Sequence, residues 1–396
     1  MHIDRFPAVA AARADGRVIA DNAGGTQVPR ECVEAVGAYL ARDNAQKGGT
    51  FARKIRTTET VERARAAYAE LAGVPPETIG LGANSTTIAL AMSRALASSI
   101  RPGDRIVVTD SDHYANVVPW TSLRRFGAEV DRIPVDARGE LDERAFAQAL
   151  AREPVLVALP WASNGTGNVF DVARLSAAAQ DAGALVIADA VQAAPHVSLT
   201  IPDTLDALFF STYKVYGPHL GVWYARPELA ERFFTADEDA LPSSGVHWSM
   251  ETGTQSHETL AGWLGTAEYL RGIGDGSVRT AIARIDAYER ELAAYARARF
   301  AERADAVTLY GRPAKEERLP VFAFNVRGVA PQTLAETLEA HGVEAALGDY
   351  YTPRLMRTLA PETNGVAVRL SFAHYNDTAD IDQAFRAIDA VIGIAA

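Results

Sequence analysis

The stretch from residue 184 to residue 218 constrains the fold more than any other part of the chain. It contains two short apolar runs, 185–187 and 207–210, and each is followed by polar residues with reactive side chains. These polar residues are Asp189 and Gln192 after the first run, and Ser211, Tyr213 and Lys214 after the second. Apolar runs this short, bounded in this way, indicate strands buried on both faces. The stretch therefore predicts two core strands whose ends carry an acid and an amine.

An acid after one strand and a lysine after another are the two groups that a pyridoxal phosphate (PLP) site requires. A lysine amine forms a Schiff base with the aldehyde of this cofactor. An acid beside the pyridinium nitrogen keeps it protonated, so that the ring draws electrons from a bound substrate. The plain alternative is that Lys214 is a solvated strand end and Asp189 a cap or turn residue. Their combination in this order favours the cofactor site.

The pattern D-x-x-Q followed by S-x-x-K-x-x-G-P resembles the class V aminotransferase group of PLP enzymes, and the cysteine desulfurases most closely. The resemblance extends over nearly the whole chain. It implies that Asp189 faces the pyridine nitrogen, Gln192 contacts the ring hydroxyl and Lys214 carries the cofactor, with Ser211 also at the cofactor. The family usually has a histidine before the lysine, touching the phosphate. This chain has Tyr213 there, whose phenol can still donate to a phosphate oxygen.

Composition and charge limit the classes of function. The chain has 396 residues, of which 48% are hydrophobic and 22% charged, as in ordinary globular proteins with room for a large and a smaller domain. Its net charge of −11 argues against a nucleic-acid or anionic-membrane partner. No apolar run approaches the ~18 residues of a membrane helix, and the first residues predict no secretory signal. The single cysteine, Cys32, excludes an internal disulfide and favours a cytoplasmic location, and we expect no metal site.

Strand and helix patterns alternate along the first half of the chain. Four strand patterns are followed by polar residues, near positions 110, 159, 189 and 211. Helical patterns at 141–151 and 171–181 separate several of them, which implies a mostly parallel sheet with helices on both faces. Ligands bind outside the carboxyl ends of the strands in such sheets. A further helix is expected from about Thr58 to Ala72, with Thr57 or Thr58 as its N-cap.

Other segments match the family around the cofactor. Ser85 and Thr86 lead into an apolar helix, where free N–H groups favour an anion, and the resemblance implies that they hold the cofactor phosphate. His113 lies in D-H-Y-A-N-V-V-P-W, similar to a family segment whose histidine stacks on the cofactor ring and can transfer a proton. Asn164 matches the asparagine of S-N-x-x-G, near the ring hydroxyl. Thr254 matches an E-x-G-T turn that reaches the phosphate of the other subunit, which implies a homodimer with shared active sites. Without a ligand, the same residues would be caps and polar loop residues.

The substrate side of the site also follows from the resemblance. Arg369, in R-L-S-x-x-x-Y-N, matches an arginine that clamps the substrate carboxylate, a task suited to a bidentate guanidinium. Asn22 belongs to a D-N-A-x-x-T segment that lines the substrate mouth, or to a plain turn before the next helix. Tyr350 closes the pocket, serves as an acid, or is a packing residue.

The resemblance implies an α/β fold, PLP-dependent transferase fold type I. This fold has a large domain with a mostly parallel seven-stranded sheet and a smaller C-terminal α+β domain. We place the large domain at residues 16–263 and the small domain at residues 264–396. Residues 1–15 are expected to pack with the small domain.

One segment departs from the cysteine desulfurases. Those enzymes carry, on a mobile loop, the cysteine that takes sulfur as a persulfide. The matching segment here, 345–353, has Tyr350 and Tyr351 instead. The only thiol, Cys32, belongs to a helix expected at 30–40. A persulfide relay through that loop is therefore chemically excluded.

These observations predict a PLP enzyme that acts on an amino acid. The favoured reaction is β-elimination, or C–S lysis, on a cysteine-like substrate, with Lys214 as the base for the α-proton. An aminotransferase or epimerase on the same scaffold is the second hypothesis, and a PLP-binding protein without turnover is the third. The intact set of Lys214, Asp189, His113 and Arg369 argues against the third. A sulfur-acceptor protein is possible, although no residue supports it.

Overall fold

Helices and strands alternate through the N-terminal half of the chain, as the apolar runs predicted. The computed structural model describes residues 3–233, 250–251, 253–316 and 318–395. The α-helices of this part are α1 (Pro7–Ala14), α2 (Arg30–Arg42), α3 (Ala52–Ala72), α4 (Ser85–Ala97), α5 (Val118–Thr121), α6 (Glu143–Leu150), α7 (Val172–Asp181), α8 (Pro227–Phe233), α9 (His257–Ile273), α10 (Val278–Ala301), α11 (Pro331–Ala340), α12 (Pro353–Leu359) and α13 (Thr378–Ala395). The strands are β1 (Val18–Ile19), β2 (Ile79–Gly82), β3 (Arg105–Thr109), β4 (Glu129–Ile133), β5 (Leu156–Pro160), β6 (Leu185–Asp189), β7 (Ala207–Ser211), β8 (Gly221–Ala225), β9 (Val307–Leu309), β10 (Val321–Val326), β11 (Val343–Glu344), β12 (Ala346–Gly348) and β13 (Ala367–Ser371). None of the helices in these ranges has the length and hydropathy that a bilayer-spanning segment requires.

Seven strands form the central sheet, in the order β2-β8-β7-β6-β5-β3-β4. Neighbours from β7 to β4 run parallel, whereas β8 is antiparallel to both β7 and β2. Every residue of β5 and β7 is buried, which is why these segments are uninterrupted apolar runs. The prediction of a mostly parallel seven-stranded sheet is confirmed.

Alternate residues of the central strands pack into cores on opposite faces of the sheet. Val157 and Leu208 belong to the core that also contains residues of α3, α9 and α10. Their neighbours Ala158 and Phe209 belong to a second core, which contains residues of α4. Because the side-chain period of a strand is two, each apolar strand contributes to both cores. Each fully buried large side chain contributes about 1.5–3 kcal/mol to folding.

Helix α3 begins earlier than the sequence predicted. Its N-cap is Phe51, which makes no side-chain capping bond, so the prediction of Thr57 or Thr58 as the cap is wrong. The Thr57 hydroxyl is buried and bonds instead to the backbone oxygen of Asp43 and the hydroxyl of Tyr39. The Thr58 hydroxyl donates to a carbonyl of the preceding turn. The Thr57 hydroxyl therefore links α3 to the end of α2, the Thr58 hydroxyl has a partner within α3, and neither caps the start of the helix.

The C-terminal part of the chain builds a second, smaller sheet of four antiparallel strands in the order β12-β13-β10-β9. Arg13 of α1 is ion-paired with Asp377 and Asp380 at the start of α13, and β1 pairs with β11. The boundary expected between residues 263 and 264 falls inside α9. We propose it as the division between the parts that carry the two sheets, with residues 1–15, including α1, packed with the smaller part.

The parallel strands β3, β5, β6 and β7 end at one edge of the central sheet. Their last residues are Thr109, Pro160, Asp189 and Ser211. The polar residues that follow each strand in the sequence are thus brought to the same edge, beside the smaller sheet. This is the edge at which ligands bind in parallel α/β sheets.

Candidate active site

A cavity of about 540 Å³ lies at the carboxyl ends of the parallel strands. Most of the residues predicted from the sequence line it, namely Ser85, Thr86, His113, Asn164, Asp189, Gln192, Tyr213, Lys214, Tyr350 and Arg369. Segments that are far apart in the sequence therefore meet around one space. Ser211, Asn22 and Thr254 are the predicted residues that do not line it.

Lys214 lies in a short 3-10 turn, Thr212–Lys214, that follows β7 directly. Its side chain is buried, and Nζ donates hydrogen bonds to the backbone oxygens of Ala23 and Gly24. Burial and the nearby Arg369 guanidinium lower the pKa of this amine to about 7, against the opposite effect of Asp21 and Asp189. A large fraction of the amine is therefore neutral near pH 7, as a nucleophile or base must be.

Asp189 is the last residue of β6, and it is buried beside the cavity. Its Oδ1 accepts a hydrogen bond of 2.9 Å from the backbone N–H of Val191. Burial raises the pKa of this carboxyl to about 6, although the Val191 bond and Lys214 both favour the ionised form. A cationic partner in the cavity would favour that ionised form further. The side-chain oxygen of Gln192 is also buried and has no hydrogen-bond partner among the described residues.

The N-terminus of α4 forms another wall of the cavity. Asn84 caps this helix by accepting a hydrogen bond of 2.8 Å from the Thr87 N–H. Ser211 Oγ accepts a bond from the Ser85 backbone N–H and donates to Ser85 Oγ, both at 2.9 Å. Ser211 is fully buried, does not line the cavity and positions Ser85 through these bonds. Its expected contact with the cofactor stays a prediction. Ser85 and Thr86 themselves line the cavity at the positive end of the helix dipole.

His113 precedes a 3-10 turn at residues 114–116, and its Nδ1 accepts a bond of 3.0 Å from the Ala115 N–H. Burial lowers the pKa of His113 to about 4, with further contributions from the Lys214 and Arg369 charges. The ring is therefore neutral at pH 7. Because Nδ1 is the acceptor, the single ring proton is on Nε2.

Arg369, on β13, is held from two sides. Its Nη1 donates to the backbone oxygen of Asn164 at 2.9 Å, and its Nη2 lies 2.6 Å from Asp21 Oδ1. The guanidinium carbon lies 4.5 Å from the centre of the Tyr350 ring, within the range of a cation–π contact. Its Nε is buried and makes no hydrogen bond within the described residues. The guanidinium is thus fixed in place, and its Nε–H is a buried donor that is still unused.

Tyr350 lines the cavity with its ring, but its hydroxyl donates to the backbone oxygen of Ala367. Burial raises the pKa of this phenol. Of the three roles predicted for Tyr350, the position supports packing beneath Arg369 and disfavours an acid. Its neighbour Tyr351 is 68% exposed, with its ring centre 5.5 Å from that of His113.

Two predicted residues lie elsewhere. Asn22 is buried, and its amide bonds to the Ser371 carbonyl, the Asn376 side chain and the Tyr375 hydroxyl, so no polar atom is left for a substrate. Asn22 thereby links its segment to β13, and its expected place at the substrate mouth stays a prediction. Thr254 is exposed outside the cavity, with its hydroxyl 3.4 Å from Gln46 Oε1. Its expected contact with another subunit stays a prediction.

The sequence predicted no role for Asp21 or Asp112, which also line the cavity. Asp112 accepts bonds from Thr109 Oγ1 at 2.6 Å and Asn116 Nδ2 at 2.8 Å, and burial raises its pKa. Asp21 and Asp112 each precede a residue that a motif identified, Asn22 and His113, and this adjacency is the signal that could have found them. No sequence pattern indicated the pairing of Asp21 with Arg369, because it joins opposite ends of the chain.

The fold and the cavity define a PLP-dependent enzyme of fold type I. The chain belongs to the family Aminotransferase class-V, which matches residues 18–384. A probable cysteine desulfurase of Mycolicibacterium paratuberculosis is 30% identical over 93% of this chain and 54% of its own length, so this chain spans about half of that relative. Cysteine desulfurase CsdA of Escherichia coli is 28% identical over 97% of this chain and 95% of the relative. The apo structure of a cysteine desulfurase from Thermococcus onnurineus NA1 superposes with a TM-score of 0.87 at 25% identity, covering 98% of both chains.

The residues of the cavity fit PLP. Lys214 offers a buried amine of lowered pKa for covalent attachment, and Asp189 offers a carboxylate to a pyridinium nitrogen. The unpartnered oxygen of Gln192 leaves a polar atom available to the ring. Ser85 and Thr86, at the helix N-terminus, offer N–H and O–H donors to a phosphate. We propose these residue roles from their positions.

Proposed function

We propose that this enzyme catalyses β-elimination on a cysteine-like amino acid and breaks its Cβ–S bond without passing the sulfur to a protein thiol. The observation that carries the proposal is the position of the only cysteine. Cys32 is 2% exposed, lies in α2 and is absent from the lining of the cavity. The segment 346–351 lines the cavity without a thiol, at the position where the family resemblance implies the sulfur-accepting loop.

Arg369 is the residue that binds the substrate in this proposal. A carboxylate accepts two parallel hydrogen bonds from a guanidinium, and Arg369 is the arginine among the cavity-lining residues. Its contacts with Asn164 and Tyr350 fix the plane of the guanidinium before the substrate arrives. The substrate would then be oriented with its α-carbon towards Lys214.

Lys214 removes the α-proton. When bound, PLP supplies an electron sink for the bond broken at the α-carbon. The lowered pKa of Lys214 leaves a large fraction of neutral amine at pH 7, so this base needs no strongly alkaline conditions. Neutral His113, with its proton on Nε2, lines the same cavity and can donate a hydrogen bond to the departing sulfur. L-cysteine and water would give pyruvate, ammonia and sulfide.

Product analysis tests the proposal. The purified enzyme, loaded with PLP, is incubated with L-cysteine, cystine, cysteine sulfinate and several amino acids without sulfur. Pyruvate, ammonia and a sulfur product in equal amounts are expected. Alanine with released sulfur would instead show desulfurase chemistry. A keto acid formed only in the presence of an amino-group acceptor would show an aminotransferase, and the D-isomer alone an epimerase.

Two variants identify the groups involved. Lys214→Ala is expected to abolish both covalent loading and turnover, whereas Lys315→Ala, which removes an exposed lysine, leaves both unchanged. Cys32→Ala is expected to keep turnover within about twofold of the parent, because the thiol does not reach the cavity. A large loss of sulfur release in Cys32→Ala would contradict the thiol-free route.

We further propose a homodimer. Four large apolar side chains on or beside α2 and α3 are exposed: Val33, Leu40, Phe51 and Ile55. Gln46, the hydrogen-bond neighbour of the exposed Thr254, lies in the same part of the chain. A patch of this kind favours association with a second copy. Light scattering should give twice the monomer mass, and Thr254→Ala should weaken cofactor retention if this residue reaches the partner's phosphate.

Two further predictions, the location of the protein and a sulfur-acceptor partner, do not depend on the geometry of the active site. The cytoplasmic location expected from the single cysteine is tested by fractionation. A sulfur-acceptor protein would be required only if alanine, rather than pyruvate, were the product.

A further inference from the structure

We propose that a second cavity, distinct from the active site, binds a small oxyanion such as phosphate or a carboxylate. This cavity has a volume of about 250 Å³ and lies between α10, the turns after β5 and β6, Arg312 and residues 318–320. None of its lining residues lines the active cavity. Its size admits a phosphate or a short dicarboxylate.

Some of the positively charged residues of this cavity have a carboxylate partner, and others do not. Two arginines each form an ion pair with a carboxylate: Arg290 Nε with Asp286 Oδ1 at 2.8 Å, and Arg312 Nε with Glu140 Oε1 at 2.5 Å. His196 Nδ1 shares a hydrogen bond of 2.5 Å with Glu289 Oε2. The two other cations that line the cavity, Arg297 and Arg318, form no salt bridge within the described part of the chain. The cavity therefore carries an excess of positive charge.

Arg318 is the main evidence for a ligand. It is 5% exposed, and its Nη2 donates to the Tyr310 carbonyl at 2.6 Å. Its Nε and Nη1 are buried and have no hydrogen-bond partner among the described residues. Buried donors without partners are rare in native proteins and indicate a missing water, ion or ligand. A cation with two such donors requires an anion in particular.

Arg297 provides a second set of donors. It is half-buried on α10, and the hydrogen bonds that it makes to described residues are long ones of 3.4 Å to the carbonyls of Ala293 and Ala314. Burial, together with the charges of Arg312 and Arg297, lowers the pKa of Arg318 to about 9, so the guanidinium groups repel one another. An anion between Arg297 and Arg318 would remove that repulsion and accept charge-assisted bonds from both.

The surroundings of this cavity connect it to the active site without sharing residues. Leu319 donates its N–H to the Gly167 carbonyl at 2.9 Å. Gly167 belongs to the same turn as Asn164, whose carbonyl holds Arg369. An anion that stabilises the segment around Arg318 would therefore also stabilise the support of Arg369, and the expected readout is a rise in melting temperature.

Isothermal titration of the PLP-loaded enzyme tests the site. The probes are potassium phosphate and malonate, with potassium chloride at equal ionic strength as the control. The cofactor is loaded first, so that its phosphate occupies the predicted position at Ser85 and the added oxyanion does not bind there. We expect saturable binding of at least one oxyanion, weakened at least about tenfold by Arg297→Gln. Arg284→Gln, which removes an exposed arginine paired with Asp275, should leave binding unchanged.

A second variant protects the test against misfolding. Arg318→Met should melt at or above the parent temperature without ligand, because it removes an uncompensated buried charge, and it should lose the stabilisation by oxyanions. If Arg318→Met does not fold, the binding measured with Arg297→Gln, at a half-exposed residue, tests the proposal instead. Binding no stronger than that of chloride, or unaltered binding in Arg297→Gln, would overturn the proposal. These outcomes are independent of which reaction the active site catalyses.

Discussion

The carboxylate of Asp21 lies 2.6 Å from Nη2 of Arg369, inside the cavity where the substrate carboxylate is expected to bind. The two residues come from opposite ends of the chain, and their meeting depends on the bridge between Asp21 and Ser371 at the edge of the smaller sheet. A substrate that binds Arg369 through both oxygens must share or displace this internal carboxylate. Asp21 therefore controls both the charge and the geometry of the site.

Asp21→Asn should lower the KM for the amino-acid substrate. The amide no longer competes for the guanidinium, while the Asn164 carbonyl and the Tyr350 ring still hold Arg369 in place. Because the Asp21 side chain is 40% exposed, its ion pair is screened by solvent, and we expect an effect on the order of threefold. Steady-state kinetics with the substrate found by product analysis measures it. An increase in KM would mean that Asp21 orients Arg369 for the substrate.

Arg369→Lys should raise the KM at least about tenfold, with a smaller change in kcat. A lysine keeps the positive charge but offers no planar pair of donors to a carboxylate. Covalent loading of the cofactor, followed by absorbance, is the control, because Arg369 is not expected to contact the cofactor. Equal losses in KM and in loading would show a general disruption of the cavity.

The pH dependence of cofactor loading follows from the pKa of Lys214. The attacking amine must be neutral, and burial, with Arg369, lowers its pKa to about 7. The loading rate should therefore rise with pH through a midpoint near 7 and level off above it. An ordinary lysine, with a pKa of about 10.4, would give a rate that still rises above pH 9. Stopped-flow absorbance on the apoenzyme measures the profile.

The same profile should move in Asp21→Asn. The negative charge of Asp21 raises the pKa of Lys214, so its removal should shift the midpoint to lower pH. Asp181→Asn, an exposed change at the end of α7, is a matched control that should leave the midpoint in place. A shift in the opposite direction would contradict the electrostatic argument.

The hydroxyls of Tyr350 and Tyr351 should differ in how much they contribute to stability. Tyr350→Phe removes the donor to the buried Ala367 carbonyl and should cost about 1–2 kcal/mol of unfolding free energy, with little change in kcat. Tyr351→Phe, at an exposed hydroxyl, should stay within about 0.5 kcal/mol of the parent. Urea denaturation compares the two variants. A large fall in kcat for Tyr350→Phe with unchanged stability would restore its role as an acid.

The sequence was sufficient for the central sheet and for most of the cavity, for a definite physical reason. Parallel strands buried on both faces appear as uninterrupted apolar runs, and their carboxyl ends must meet at one edge. Asp189, Lys214 and His113 follow such runs directly. Their positions are therefore fixed by local structure and by the direction of the strands.

What the sequence could not provide depends on long-range contacts. Asn22 matched a motif at the substrate mouth, yet Tyr375 and Ser371 bond to its amide from the other end of the chain. Thr57 has the residue type of a cap, but its hydroxyl is used by Tyr39 and Asp43 after the helix has started earlier. In both cases the polar side chain had a choice of partners, and tertiary packing decided between them.

Removing one partner of the buried ion pair between Arg65 and Glu251 should strongly destabilise the fold. Both Glu251 oxygens accept from the Arg65 guanidinium, at 2.6 and 3.1 Å, and Oε1 also accepts from the Leu81 N–H at 2.8 Å. The pair thereby links α3, β2 and the turn before Thr254. Glu251→Gln leaves a buried guanidinium without its counter-charge, so we expect a loss of about 3–5 kcal/mol in unfolding free energy.

Urea denaturation of Glu251→Gln, Arg65→Met and the double variant measures this contribution. The double variant should be less destabilised than the sum of the two single changes, because it leaves no unpaired charge in the core. Additive losses would mean that the two residues act independently. Cofactor retention tests whether the Arg65–Glu251 pair also supports Thr254. The control is Arg105→Gln, at an ion pair on the far edge of the sheet. If Glu251→Gln weakens retention and Arg105→Gln does not, the link between the Arg65–Glu251 pair and Thr254 is functional.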